Sequence, residues 1–239
     1  MIVTNNVLRR TFHIRWKDCT GTGFVIDHES KEYLITARHV VCGIKSGDTI
    51  EVFQDGQWRS LAVSVVGMGE DDVDVAVLAC PIRLCPRFPL VPLTGSLLLG
   101  QPISFLGYPF GWDSGGEQIN RGVPLPFVKA GIVSALEVSD RGLSRIFLDA
   151  HGNKGFSGGP VVFVPSGKPQ NEFEVAGIVS HYPTPLLTPV VNRNGDPVTD
   201  QEGEPIGYVA ENPGIVVAIS INYALELIGA NPIGLQVTS

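Results

Sequence analysis

The 239-residue sequence is poor in charge. Asp, Glu, Lys and Arg together make up 17%, against roughly a quarter in an ordinary soluble domain. This excludes a coiled coil, a charge-laced helical bundle and a disordered chain, each of which needs many more solvated side chains. There is no long basic run, and the net charge is −7. An acidic balance of this kind speaks against nucleic acid and anionic lipid as partners. No stretch reaches the 18 or so apolar residues that span a bilayer. The first 17 residues lack a basic stub followed by an apolar run and a cleavage site, so no signal peptide is read and a cytoplasmic location is expected. Four cysteines are too few for a disulfide framework, and reduced thiols are the expectation.

What is abundant points to β structure. The chain has 28 Gly and 18 Pro among many Val and Ile, the composition of numerous short strands and turns. Residues 11–94 read as short apolar strands, for example Gly23-Phe24-Val25-Ile26 and Tyr33-Leu34-Ile35-Thr36. A proline-rich stretch, 81–92, reads as a linker. A second set of strands is expected at 102–106, 128–136, 145–148, 160–164, 175–180 and 215–220. Only 222–229 has a helical pattern, with Asn222 as its cap and Gly229 as its stop. The expectation is an all-β protein of two barrels, 1–94 and 95–239, forming one unit. Two irregular segments, 111–126 and 182–213, are either loops bordering a cleft or solvated insertions. The acidic residues of the second, Asp196, Asp200, Glu202 and Glu204, do not have the spacing of a calcium loop, and no metal or other cofactor is expected.

The most informative string is Gly155-Phe156-Ser157-Gly158-Gly159-Pro160. A serine between glycines on a tight turn can expose its hydroxyl, and the neighbouring N–H groups can face a developing oxyanion. A serine hydroxyl is a weak nucleophile until a base and an orienting group join it. His39, after an apolar strand, and Asp74, between valines, supply both types. Each alone has an ordinary reading: a turn, an edge histidine, a buried carboxylate with a structural partner. The order His, Asp, Ser, with each residue in its own motif, makes the set specific.

These motifs resemble the chymotrypsin-like (trypsin-fold) serine peptidases, and most closely their HtrA-like branch. The resemblance rests on Gly21-Thr22-Gly23-Phe24, Thr36-Ala37-Arg38-His39-Val40-Val41, Asp74-Val75-Ala76-Val77-Leu78, Gly107-Tyr108-Pro109-Phe110-Gly111, Gly131-Ile132-Val133-Ser134-Ala135-Leu136 and the Ser157 string. It implies a double six-stranded barrel with a short C-terminal helix, and a serine endopeptidase acting on polypeptides. In that reading Ser157 is the nucleophile, His39 the general base and acid, and Asp74 its orienter, with Gly155 and Ser157 N–H groups as the oxyanion hole. Ser180 would support the aspartate, and Ser180, His181 and Tyr182 would pair with substrate as an added strand. His151, six residues before Ser157, falls at the base of the primary pocket; it either favours an acidic substrate residue or points away. Without an acid there, cleavage after Lys or Arg is not expected, and a neutral apolar residue is preferred. Asp72 is a second candidate orienter, and His13 and His28 read as surface residues.

Two departures from the family matter. Phe156 replaces a polar residue, usually Asn or Asp, before the nucleophile. It cannot accept a freed N-terminal ammonium, so activation by terminal insertion is rejected. It either packs inward and sets the oxyanion turn, or leaves that turn dependent on an activating partner. The alternatives are therefore a catalytically silent peptide-binding protein and a protease latent until a partner orders the loop. With about ten residues after the expected helix, no PDZ module is expected. A Cys19–Cys42 bridge is suggested only by secreted relatives, and at a different offset; free thiols are the alternative for all four cysteines.

Overall fold

The structure, a computed structural model, describes residues 2–237 apart from 71, 86–89, 94, 113, 117, 141, 182, 184 and 185. In chain order, α1 (Asn5–Leu8) precedes β1 (Thr11–Trp16), β2 (Cys19–His28), β3 (Lys31–Thr36), β4 (Thr49–Gln54), β5 (Gln57–Ala62), β6 (Ser64–Met68) and β7 (Ala76–Ala79). There follow β8 (Val91–Pro92), β9 (Pro102–Gly107), β10 (Phe127–Ser139), β11 (Gly142–Asp149), β12 (Pro160–Phe163) and β13 (Glu174–His181). The chain continues through β14 (Leu186–Pro189), β15 (Tyr208–Glu211), β16 (Ile215–Ser220), α2 (Ile221–Ala230) and β17 (Leu235–Gln236).

The first sheet has the order β5-β4-β1-β2-β3-β7-β6, with β17 added to β3. Its two ends, β5 and β6, are separated only by Val63, so a single bent strand joins them and the sheet curls on itself. The second sheet runs β12-β9-β10-β11-β16-β13 and closes because β12 also pairs with β13. The chain is thus an all-β double barrel with a short C-terminal helix, as its composition and motifs imply.

The barrels explain why several strands read as unbroken apolar runs rather than alternating ones. In β2, Val25 faces the interior of the first barrel with Ile14, Leu34 and Leu78. Its neighbours Phe24 and Ile26 turn the other way, into a cluster with Leu106, Val162, Ile219, Ala224 and Ile228. A strand buried on both faces loses its period-two signature. The second barrel has its own interior around Phe105, Leu148, Val161 and Val216. The cluster shared by both barrels and α2 fixes how the strand ends carrying His39 and Ser157 meet.

Four expectations need correction. The helix spans Ile221–Ala230 and is capped by Ser220, whose hydroxyl accepts from the Asn222 N–H; Asn222 is already inside the first turn. His13 is buried, only 4% exposed. Its ring stacks on Tyr108 at 4.8 Å and meets Trp58 edge-on at 4.8 Å, so aromatic packing overrides its polarity. Within the proline-rich stretch, Val91–Pro92 pairs with β13 in parallel and is an element of the second sheet. Finally, 182–213 contains a hairpin: β14 and β15 pair antiparallel from Leu186↔Glu211 to Pro189↔Tyr208. Among the described residues no helix is long and apolar enough to cross a membrane.

Candidate active site

His39 lies in the 3-10 turn Arg38–Val41 that follows β3, and Asp74 lies just before β7. Strands β3 and β7 are direct partners, with Thr36 opposite Ala76, so the two side chains leave neighbouring strand ends. The Asp74 carboxylate grips His39 twice. Oδ1 accepts the His39 backbone N–H at 2.9 Å, and Oδ2 lies 2.7 Å from the ring Nδ1. An ionised carboxylate is only an acceptor, so the proton of this contact sits on Nδ1, the tautomer in which a neutral ring keeps its lone pair on Nε2. The Ser180 hydroxyl donates to the same Oδ2 at 2.6 Å.

Burial pushes the Asp74 carboxyl up, but the hydrogen bonds from the His39 ring and Ser180, the His39 charge and the His39 backbone N–H outweigh it. The net result holds the carboxyl at about 2, ionised at any pH near neutrality. Asp72 is not part of this arrangement. Its Oδ2 pairs with Arg145 Nη2 at 3.0 Å, and its side chain is 84% exposed.

Ser157 sits on the loop between β11 and β12, and this loop is fastened at almost every residue. Thr22, in β2 of the first sheet, donates through its N–H to the Ser157 carbonyl at 2.9 Å and through Oγ1 to the Gly155 carbonyl at 2.7 Å. Gly158 N–H donates to Val179 O, and Val179 N–H returns to Gly159 O. The Phe110 N–H donates to the Lys154 carbonyl at 2.9 Å. In a trans peptide the C=O and the following N–H point in opposite directions, so pinning the Lys154 carbonyl there turns the Gly155 N–H away from Phe110. Among the described residues neither the Gly155 nor the Ser157 N–H has a protein acceptor, whereas those of Phe156, Gly158 and Gly159 do. Two donors are therefore left unused beside the serine.

The glycines of this loop are required by geometry. Gly155 has φ +99°, and a Cβ on it would collide with the Tyr108 carbonyl. Gly158 has φ +84°, and a Cβ there would strike the Thr22 carbonyl. Phe156 packs inward, 1% exposed, edge-on to Phe105 at 5.1 Å. The Lys129 ammonium lies 5.2 Å above its ring. Lys129 also donates to the His151 carbonyl at 2.6 Å and to Asn153 Oδ1, so one half-buried side chain ties together the start and the centre of the loop.

The Ser157 hydroxyl donates to the Ser180 carbonyl at 2.9 Å; among the described residues no hydrogen bond joins it to His39. His181 is exposed, with Nδ1 3.0 Å from Ser180 Oγ. Since that hydroxyl gives its proton to Asp74, the His181 Nδ1–H is the donor in this contact. An open cleft of about 770 Å³ is lined by His39, Asp74, Ser180 and His181. His151 is exposed, and Tyr182 lies outside the described residues. All four cysteines are free thiols, with Cys19 and Cys42 exposed. Burial, with the Glu32 charge, pushes Cys80 up to about 12, so it is no nucleophile near neutrality. Among the described residues no three His, Cys, Asp or Glu side chains are grouped to hold a metal.

Residues 21–168, more than half of the chain, match the trypsin-like peptidase domain. The chain belongs to this family. Its fold is shared with HtrA-type and related serine proteases of known structure. The inactive form of the Rv3671c protease of M. tuberculosis is 19% identical with a TM-score of 0.57, over 94% of this chain and 90% of that one. A serine endoprotease from Yersinia pestis is 18% identical with a TM-score of 0.57, over 96% and 67%. The HtrA-type protease AlgW, solved with a tripeptide, is 23% identical with a TM-score of 0.55, over 94% of this chain and 60% of that protein. No curated protein sequence matches.

The sequence offered His39, Asp74 and Ser157 as candidates, with Ser180 as the support of Asp74, but gave no role to Thr22, Phe110 or Lys129, which fasten the serine loop. Thr22 was visible only as the middle of Gly21-Thr22-Gly23, where the flanking glycines mark a close backbone approach. Phe110 lay in the Gly107–Gly111 motif and Lys129 in no motif, and neither showed its partner, which lies more than 20 residues away.

Proposed function

We propose that this protein is a serine endopeptidase that hydrolyses polypeptides through an acyl-enzyme, with residues 1–94 and 95–239 acting as one catalytic unit. The observation that carries this reading is the double grip of Asp74 on His39 beside a serine whose loop leaves two N–H groups unused.

The Ser157 hydroxyl leaves the Ser180 carbonyl and turns to His39. Its oxygen bonds to the scissile carbonyl carbon while its proton passes to His39 Nε2. The negative charge that collects on the carbonyl oxygen is met by the Gly155 and Ser157 N–H groups. Asp74 stabilises the imidazolium without taking its proton. The imidazolium then protonates the leaving amine as the C–N bond breaks. Water repeats the sequence on the acyl-Ser157 ester, giving its proton to His39, which returns it to Ser157 Oγ as the ester C–O bond breaks and the carboxylic acid leaves.

Strand β13 runs beyond its last pairing with β12, Pro160↔Ile178, and so offers backbone at 180–181 to an extended substrate. A substrate N–H at the Ser180 carbonyl displaces the Ser157 hydroxyl from that acceptor and frees it for His39. Substrate binding thereby completes the proton path. AlgW has been solved with a tripeptide and with a decapeptide, which supports a polypeptide substrate by analogy. No acid at His151 favours cleavage after a neutral apolar residue.

A serine-directed fluorophosphonate probe tests the reading. Labelling of the wild type that is absent in Ser157→Ala is the expected result; equal labelling of both, or of neither when peptide substrate is supplied, rejects it. Digestion of a peptide library then reads the specificity, and predominant cleavage after Lys or Arg rejects the pocket assignment. A protein that stays unlabelled yet retains peptide would be the silent binding protein, or a protease awaiting a partner.

A further inference from the structure

Strands β4 and β5, the segment 82–84 and the turn 119–123 enclose a pocket of about 370 Å³ that shares no residue with the candidate active site. Four arginines line it: Arg9, Arg59, Arg83 and Arg121. Its floor is apolar, with Phe12, Leu61 and Val123 all buried. No Asp or Glu belongs to the lining. In a chain with 24 acidic residues against 17 Lys and Arg, a pocket with this charge runs against the composition. Like charges gathered at one site repel each other, and nothing in the lining relieves that repulsion.

The arginines are only partly used. Arg59 pairs with Asp55 at the pocket's edge at 2.6 Å, with both side chains about half exposed. Arg83 gives Nε to the Cys85 carbonyl at 2.9 Å, and Arg9 gives Nη2 to the Ile119 carbonyl at 3.5 Å. A guanidinium has five N–H donors, so most remain available. Among the described residues the Arg121 guanidinium has no hydrogen bond or ion pair.

Arg121 is also held in an unfavourable backbone state. Its φ is +59°, in the left-handed region, and Gly122 follows at +82°. The β4–β5 turn fixes both. Gln54 Nε2 donates to the Arg121 carbonyl at 3.1 Å, and the Asp55 N–H donates to the Gly122 carbonyl at 2.6 Å. A non-glycine residue in that region persists only where its surroundings over-determine it, and here the effect is to keep the Arg121 cation at the rim of a pocket.

We propose that this pocket binds a small phosphate monoester with an apolar body. The volume suits a small molecule rather than a protein element. Guanidinium groups match phosphate oxygens with paired N–H bonds. The four lining arginines less Asp55 carry three positive charges, which suits a dianion better than a monocarboxylate. The apolar part of the ligand lies on Phe12, Leu61 and Val123.

The test uses the full chain and phenyl phosphate as the probe, read by calorimetry and by amide shifts in NMR titration, with no reference to peptidase activity. Saturable binding is expected, with shifts clustered at Leu61, Arg121 and Val123. Benzoate should bind more weakly, and benzyl alcohol more weakly still. Arg83→Gln with Arg121→Gln should weaken phenyl phosphate roughly tenfold or more, while Lys168→Gln with Arg193→Gln, a charge-matched change elsewhere, should leave it unaltered. The proposal is overturned by non-saturable binding, by shifts scattered away from the pocket, by undiminished affinity in the arginine variant, or by an oligoglutamate peptide that displaces phenyl phosphate and binds more tightly. The shift map on the unaltered chain keeps the test decisive should the double variant not fold.

Discussion

The first sheet holds its share of the candidate site between two neighbouring strands, whereas the second barrel's share is held from several scattered elements, one of them in the other sheet. His39 and Asp74 leave adjacent strands, β3 and β7, and are joined by two hydrogen bonds. The Ser157 loop takes its shape from Thr22 in the first sheet, from Phe110 in the loop after β9 and from Lys129 in β10. Among the described residues, only the Ser180 hydroxyl crosses to the acid–base pair. A charged pair can thus be pre-assembled by strand pairing alone. A surface of unused N–H groups cannot, because each donor must be kept from its nearest acceptor by contacts elsewhere. The acid–base half is therefore expected to be locally robust in geometry, and the serine half to respond to changes at distant positions.

Four measurements sharpen or break this contrast. The largest effect is expected for Asp74→Asn, which keeps the shape but lets the amide donate to Nδ1 and so puts the imidazole in the wrong tautomer. The kcat for peptide hydrolysis should fall by roughly 10⁴; a loss below tenfold would show that Asp74 is not the orienter. Next is Phe156→Ala. Emptying a fully buried aromatic site should cost about 3–5 kcal/mol of stability in chemical denaturation. An unchanged midpoint would mean that Phe156 is not what anchors the loop from below.

Thr22→Val removes the bond to the Gly155 carbonyl and strands the buried Tyr108 N–H, which now donates to Thr22 Oγ1 at 3.2 Å. If the oxyanion donors depend on Thr22, kcat should fall by about 10² with little change in KM, and Thr22→Ser should restore most of it. A fall in stability alone, with kcat intact, would make Thr22 merely structural. The smallest effect concerns acid. Asp74 is held at about 2 in the folded chain against an ordinary value of 3.8. A depressed carboxyl stabilises the fold above its unfolded value, and the contribution is lost as pH falls through the folded one. Stability should therefore drop by about 2 kcal/mol between roughly pH 4 and pH 2, and Asp74→Asn should flatten that part of the profile.

The motifs around His39, Asp74 and Ser157 were legible because each is local. A glycine-flanked serine, a histidine ending an apolar strand and an aspartate between valines can be read in a few residues. The barrels were legible for the same reason, from short strands and frequent turns. His13 was misread because nothing nearby announces that Tyr108 and Trp58 converge on it. The β14–β15 hairpin was hidden because β15 is exposed along its whole length and β14 carries Pro189, which blurs a period-two pattern. The arginine pocket had no signature either, since Arg9, Arg59, Arg83 and Arg121 are dispersed along more than 100 residues.

By itself, then, the sequence determined the fold class, the family and the identity of the three candidate reactive side chains, because these follow from local periodicity and from glycines that only one kind of turn requires. Tertiary structure alone decided which partners those side chains have. It put the Ser157 hydroxyl on the Ser180 carbonyl, left the Gly155 and Ser157 N–H groups unused, and gathered four arginines round one pocket. Hydrogen bonds and charge interactions act over a few ångströms of space and take no account of separation along the chain.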